Sequence, residues 1–151
     1  MAGPSYEDRV FEDYVLGEGV ESIGRTVDQG DISSFAGLTL DLHPAHLDDV
    51  YATQKYGGRL AHGMLTFSLV TGLTVEYNLR AISYGYDKVR FPNPVFAGDT
   101  LRATSEVVEL REHRKPAIGL VVKAYQAHKQ DGSLVFVCHH TLAVERRGAQ
   151  T

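Results

Sequence analysis

Tryptophan is absent from this chain, and cysteine occurs once, at Cys138. A lone thiol excludes an internal disulfide and any zinc site built on paired cysteines, and it fits a reducing compartment. Clustered positive charge is also missing. The 15 Lys and Arg are scattered among 19 Asp and Glu, for a formal net charge of -4, so the electrostatic footprint of a nucleic-acid binder is not there. No stretch approaches the roughly 20 apolar residues that a membrane helix needs. The opening MAGPSYEDRVFEDY lacks an apolar core and carries acidic residues early, unlike a secretion or transit signal. The expectation is a cytoplasmic protein that partners neither nucleic acid nor membrane.

What is present is an ordinary globular composition. With 151 residues and 43% apolar content, the chain suits one core better than two. A single domain over residues 1–151 is expected, since no repeat, linker or low-complexity segment interrupts it.

SIGRTVDQ (22–29) alternates like a strand, and Asp31 is expected to cap a short helix, ISSFAG. Asp48 and Asp49 open a second helix that Gly57 and Gly58 end. HGMLTFSLVTGLTVEYN (62–78) is apolar around most of its circumference, which predicts a helix buried on nearly all sides. Four strand-like runs follow, at 82–91, 100–110, 117–128 and 134–144. Asp131-Gly132 marks a hairpin between the last two, and the prolines of PNPVFAGD (92–99) mark a loop between the first two. One buried helix followed by antiparallel strands predicts an α+β domain in which a curled antiparallel sheet wraps a central helix, the hotdog fold. Such a sheet leaves an edge for a partner, so a homodimer or larger homo-oligomer is expected.

The stretch DLHPAH (41–46) concentrates polar chemistry in six residues. Asp41 and His46 sit in a loop that Pro44 stiffens, and a carboxylate beside an imidazole can hold a water molecule and move its proton near neutral pH. The plainer alternative is that Asp41 caps local amides and His46 is solvated. His62-Gly63 opens the buried helix, whose free amides suit a developing oxyanion; Gly63 lets a carbonyl approach the backbone, or serves close packing alone. His43, His46, His62 and Asp41 are also possible metal ligands, but HPAH lacks a spacing that fixes ligand geometry, and no metal is expected. His139 and His140 point to opposite faces of a strand and are expected to be structural. Ser68 lacks the turn of a serine nucleophile, and Cys138 falls on an apolar strand face as a core residue.

DLHPAH followed by GGRLAHGML (57–65) resembles the MaoC-like (R)-specific enoyl-CoA hydratases and dehydratases. Their signature runs Asp-x-Asn-Pro-x-His, a short helix, a Gly-Gly-Arg-like turn and a His-Gly-Met helix start. FEDYVLGE (11–18) and VRFPNPVFAGDTL (89–101) resemble further parts of that family, so the likeness covers most of the chain. It implies Asp41 and His46 as the catalytic pair, the Gly63 amide as the thioester carbonyl site, and Thr71 as a supporting hydroxyl near the pair. His43 stands where the family has asparagine, which makes it both a supporting residue and a departure. The implied reaction is reversible hydration of a 2-enoyl thioester, with coenzyme A or an acyl carrier's pantetheine as the substrate handle and no metal or redox cofactor. Arg59, Lys88 and Arg90 are candidates for the handle's phosphates. His62 and Met64 are further substrate-contact candidates, and Leu65 and Phe67 candidates for shaping the acyl pocket. A non-catalytic acyl-thioester-binding subunit and a hotdog thioesterase stay open as alternatives.

Overall fold

The computed structural model describes residues 6–149; the expected domain over 1–151 therefore includes two short ends outside the described residues. After a 3-10 turn at Phe11–Asp13 come β1 (Gly19–Glu21), β2 (Arg25–Thr26), α1 (Gln29–Thr39), α2 (Pro44–Leu47), α3 (Asp49–Tyr56), α4 (Gly63–Leu73), β3 (Ala81–Arg90), β4 (Thr100–Glu112), β5 (Ile118–His128) and β6 (Leu134–Glu145). All strand pairs are antiparallel, in the order β1-β4-β5-β6-β3, with β2 also paired to β4. β4 carries the period-two pattern of a half-buried strand: Leu101, Ala103, Ser105 and Val107 face inward, while Arg102, Thr104 and Glu106 face out. Gly132, at φ 83°, makes the turn between β5 and β6, where the Asp131 carboxylate accepts from the Ser133 amide at 2.9 Å.

The sheet wraps α4. Leu65 and Val70 of the helix pack into one apolar cluster with Leu101, Ala103, Tyr125, Phe136 and Cys138 of the strands and Val27 and Ile32 from around α1. A smaller cluster of Tyr14, Val107, Val121 and Val144 closes the far end. This is the curled α+β architecture expected from the sequence.

Three details differ. The expected strand at 22–29 is two short strands interrupted at 22–24, and α1 begins earlier and ends later than ISSFAG. Asp28, not Asp31, is its N-cap: Asp28 accepts from the Asp31 amide at 2.8 Å, and Asp31 accepts back from the Asp28 amide at 3.0 Å. Arg25 forks onto the Asp31 carboxylate at 2.7 and 2.9 Å and holds it below the usual carboxylate range. Second, α4 stops at Leu73, where the Thr74 hydroxyl donates to the Val70 carbonyl.

Third, α4 is not buried on all sides. Leu65, Thr66 and Val70 are buried, whereas Met64, Ser68 and Gly72, spaced four apart along one face, are exposed. Beside that face runs β3, whose outer edge has no strand partner among the described residues and whose Ile82 and Tyr84 are exposed. An exposed helix face thus lies beside a free strand edge that carries exposed apolar side chains.

Candidate active site

The polar stretch 41–46 hangs between α1 and α2. Leu40 ends α1 in the left-handed region at φ 61°, an uncommon conformation for a branched residue. It turns the chain sharply into Asp41. His43 then caps α2, its Nδ1 accepting from the Ala45 amide at 3.1 Å, and Pro44 occupies the first helical position, where its missing N–H costs nothing. His46 therefore lies on a short helix rather than in the irregular loop expected from sequence. Its ring is aimed by the Leu60 carbonyl, 2.7 Å from Nδ1. Because a carbonyl only accepts, Nδ1 carries the proton and Nε2 presents a bare lone pair.

That lone pair faces the carboxylate. His46 Nε2 and Asp41 Oδ2 are 4.0 Å apart, with the His46 side chain 15% exposed and that of Asp41 56%. The gap is too long for a direct hydrogen bond and wide enough for a water molecule touching both. His62, only 3% exposed, lies against both residues: its Nε2 is 3.1 Å from the Asp41 backbone carbonyl, and its ring stacks on His46 with centroids 3.7 Å apart and planes 22° from parallel.

His62 is also the N-cap of α4, yet its side chain makes no cap. The first amides of the helix, beginning at Gly63, thus have no side-chain acceptor while carrying the positive end of the helix dipole. Gly63 has a packing reason as well: a Cβ there would stand 3.2 Å from Phe91 Cζ. Asp41, His46, His62, Gly63 and Met64 line one cavity of about 260 Å³, closed by Phe35, Thr39 and Phe91. Sequence reasoning missed those last three. Phe35 and Thr39 share a face of α1 by their spacing of four, but nothing in the sequence tells which way that face looks.

The Asp41, His46 and His62 donor atoms lie within 4.8 Å of one another, yet they do not suit a metal ion. The lone pairs of stacked, near-parallel imidazoles lie in their ring planes and do not converge on one point. His62 Nδ1 is buried with no hydrogen-bond partner among the described residues, a loss of about 1–3 kcal/mol at a site with some reason to keep it.

Other sequence candidates lie elsewhere. The Thr71 hydroxyl donates to the Ser68 carbonyl at 2.9 Å and lines a separate, larger cavity of about 390 Å³ with Lys123, Glu76, Tyr125 and His140. Thr71, expected as a supporting hydroxyl near Asp41 and His46, thus lines a different cavity from those two residues. That cavity's ionisable groups are already matched: Lys123 pairs with Glu76, and His140 bonds the Tyr125 hydroxyl at 2.7 Å and Ser83 at 2.9 Å. Burial pushes the His140 pKa down to about 4, so the ring stays neutral. Among the described residues, the smaller cavity combines an imidazole nitrogen that has no hydrogen-bond partner with uncapped helix amides. Arg59 spends its guanidinium on Asp49 at 3.0 Å and Ser33 at 3.2 Å. Lys88 lines a shallow pocket with Gln126, Val137 and His139. Arg90 is exposed, donating to the neighbouring Val89 carbonyl at 2.7 Å, next in chain to the cavity residue Phe91. Cys138 is buried, and desolvation raises its thiol to about 12, which removes it as a nucleophile.

A curled antiparallel sheet around one helix defines the hotdog fold. A family model described as MaoC like domain matches residues 13–129, and the chain belongs to that family. It is similar to the (R)-specific enoyl-CoA hydratase of Rhodospirillum rubrum, 36% identical over 70% of this chain and 74% of the relative. It is also similar to mesaconyl-CoA hydratase of Cereibacter sphaeroides, 34% identical over 92% of this chain and 42% of the relative; the chain thus spans under half the length of that protein. Among solved structures, the MaoC-like dehydratase from Rhodospirillum rubrum superposes with a TM-score of 0.80 at 27% identity, covering 93% of this chain and 99% of the other. Among the described residues, no helix is long and apolar enough to cross a membrane.

Proposed function

We propose that this protein reversibly adds water across the double bond of a 2-enoyl thioester. The observation that carries the proposal is the 4.0 Å opening between Asp41 Oδ2 and His46 Nε2, in one cavity with the uncapped start of α4. The thioester carbonyl accepts from the Gly63 amide. A water molecule donates one hydrogen to Asp41 and the other to His46 Nε2. As its oxygen attacks C3, His46 takes the proton, the π electrons move toward C1, and negative charge gathers on the carbonyl oxygen held by Gly63. The enolate then collapses, and His46 returns the proton to C2. Atoms and charge balance, and the reaction as written calls for neither metal nor redox cofactor. The helix dipole favours the enolate oxygen over the neutral carbonyl, so it stabilises the transition state more than the bound substrate.

His43 supports an active site rather than a catalytically dead one. Its Nδ1 caps α2 as an asparagine oxygen would, so the loop that aims His46 keeps its tether. The substrate handle is coenzyme A or a carrier-bound pantetheine, for which Arg90 beside the cavity is the best placed of the three basic candidates. A second copy of the chain pairs along the free edge of β3 and covers the exposed faces of β3 and α4.

The test is to incubate the protein with crotonyl-CoA, mesaconyl-CoA and longer or branched enoyl-CoAs while following both the conjugated double bond and free thiol. Loss of the double bond without thiol release is expected. Thiol release would move the reading to hydrolysis, and binding without any turnover would move it to a non-catalytic subunit.

A further inference from the structure

We infer that His62 is a positioning residue that fixes the distance between the two members of the catalytic pair and ties both to the carbonyl site. The inference rests on the hydratase reading above, but its geometric core does not depend on it.

Three contacts meet in this one side chain, and its backbone adds a fourth tie. Nε2 lies 3.1 Å from the Asp41 backbone carbonyl, and because a carbonyl only accepts, Nε2 must carry the hydrogen. The face of the same ring stacks on His46 at 3.7 Å. The Phe35 ring packs against His62 as well, with centroids 5.0 Å apart. Finally, His62 is the residue immediately before Gly63, so its backbone sets the start of α4.

The other restraints on Asp41 are weak. Its amide reaches the Thr39 hydroxyl only at 3.4 Å, its carboxylate meets the His43 amide at 3.4 Å, and the side chain is more than half exposed. Asp41 follows a left-handed residue at the end of α1, and the described hydrogen bonds give its carbonyl no other donor than His62. Without that tie the carboxylate is free to crowd against His46 or to swing into solvent. Either movement destroys the opening that admits one water. Stacking restrains the other partner: Leu60 fixes which way the His46 ring points, and His62 fixes how far it tilts. The unpartnered Nδ1 of His62 follows from this arrangement, since a ring committed to Asp41 at one nitrogen and to His46 across its face has no freedom to seek a second donor. A small displacement of reacting groups is enough to cost about 100-fold in rate.

The experiment pairs His62→Phe, which keeps a stacking ring and deletes the donor, with His62→Gln, which keeps an N–H donor and deletes the ring. Hydration of crotonyl-CoA is measured for both in the wild-type and Asp41→Asn backgrounds. A positioning role predicts that each lowers kcat by about 10- to 100-fold in the wild-type background. KM should change little. Once Asp41 is already replaced, His62→Phe, which removes only the tie to Asp41, should cost little further, whereas His62→Gln, which acts through the His46 stack, should still lower kcat. Equal losses from His62→Phe in both backgrounds would overturn it. Ring-nitrogen NMR supplies a test that needs neither turnover nor a stable variant: His62 should be protonated at Nε2 and His46 at Nδ1, and the reverse tautomer at His62 would overturn the proposal. If the wild type turns over no enoyl thioester, the hydratase reading fails separately. The positioning role is then decided by the His46 ring signals, which shift in the His62 variants if it holds and stay put if it does not.

Discussion

His43 is the residue at which this chain departs from the family signature, and it keeps a contact that an asparagine could make. Both an asparagine Oδ1 and an imidazole Nδ1 can accept from the amide two residues on. His43→Asn should therefore keep the α2 cap and leave kcat for enoyl-CoA hydration nearly unchanged. His43→Ala should lose about 1 kcal/mol of stability, read as a lower midpoint in urea. Gly63 is constrained from two sides, by its proposed role at the thioester carbonyl and by the Phe91 ring, which stands 3.2 Å from where a Cβ would be. Gly63→Ala should push that ring into the cavity and lower kcat/KM by about tenfold or more. Phe91 is partly exposed and can yield, so Tm should move by no more than about 4 °C. Recovery of activity in Gly63→Ala/Phe91→Ala would confirm that the ring, not the amide, was disturbed. At this scale residue type and spacing singled out Asp41, His46 and Gly63, and the fold brings all three to one cavity. It was silent on His62 as a link between them, since stacking and a bond to a distant backbone carbonyl leave no local pattern.

At the scale of elements, strands β3 to β6 were legible within a residue or two because half-buried and buried strands write their period into the chain. The end of α4 was not, because apolar residues past Leu73 belong to a surface that the single chain leaves uncovered. Nor was the placement of Thr71: helical spacing gives a face, but the sheet decides which cavity that face meets. β6 also carries a pH-dependent element. His140 is buried, stacked on Tyr86 with centroids 4.1 Å apart and held neutral with a pKa near 4. In the unfolded chain a histidine titrates near 6.5. Between these values the unfolded state binds more protons, so stability rises with pH and is lost as pH falls from about 6.5 to about 4, by roughly 3 kcal/mol at most. Chemical denaturation across that range should show the loss. His140→Gln should be less stable at neutral pH and show a flatter profile; an unchanged profile would contradict the assignment.

For the whole molecule, a curled sheet buries one face of α4 and leaves another beside an open strand edge. The fold class could be argued from one helix and four strands, but the open edge emerges only when the strand order places β3 at the margin. Tyr84 is 61% exposed there. If a second copy pairs along β3, Tyr84→Lys should convert a dimer to monomer in analytical ultracentrifugation, since a charged edge strand resists pairing. A wild-type monomer, or a dimer indifferent to the substitution, would contradict that arrangement.

The central claim is that Asp41 and His46 share a water molecule that adds to an enoyl thioester. Its most direct test is kcat/KM for hydration of crotonyl-CoA by the wild type beside Asp41→Asn and His46→Ala, with folding of each checked by circular dichroism. The account predicts turnover in the wild type and a loss of about 100-fold or more in each variant. A folded variant that keeps activity within a few fold of the wild type would contradict it.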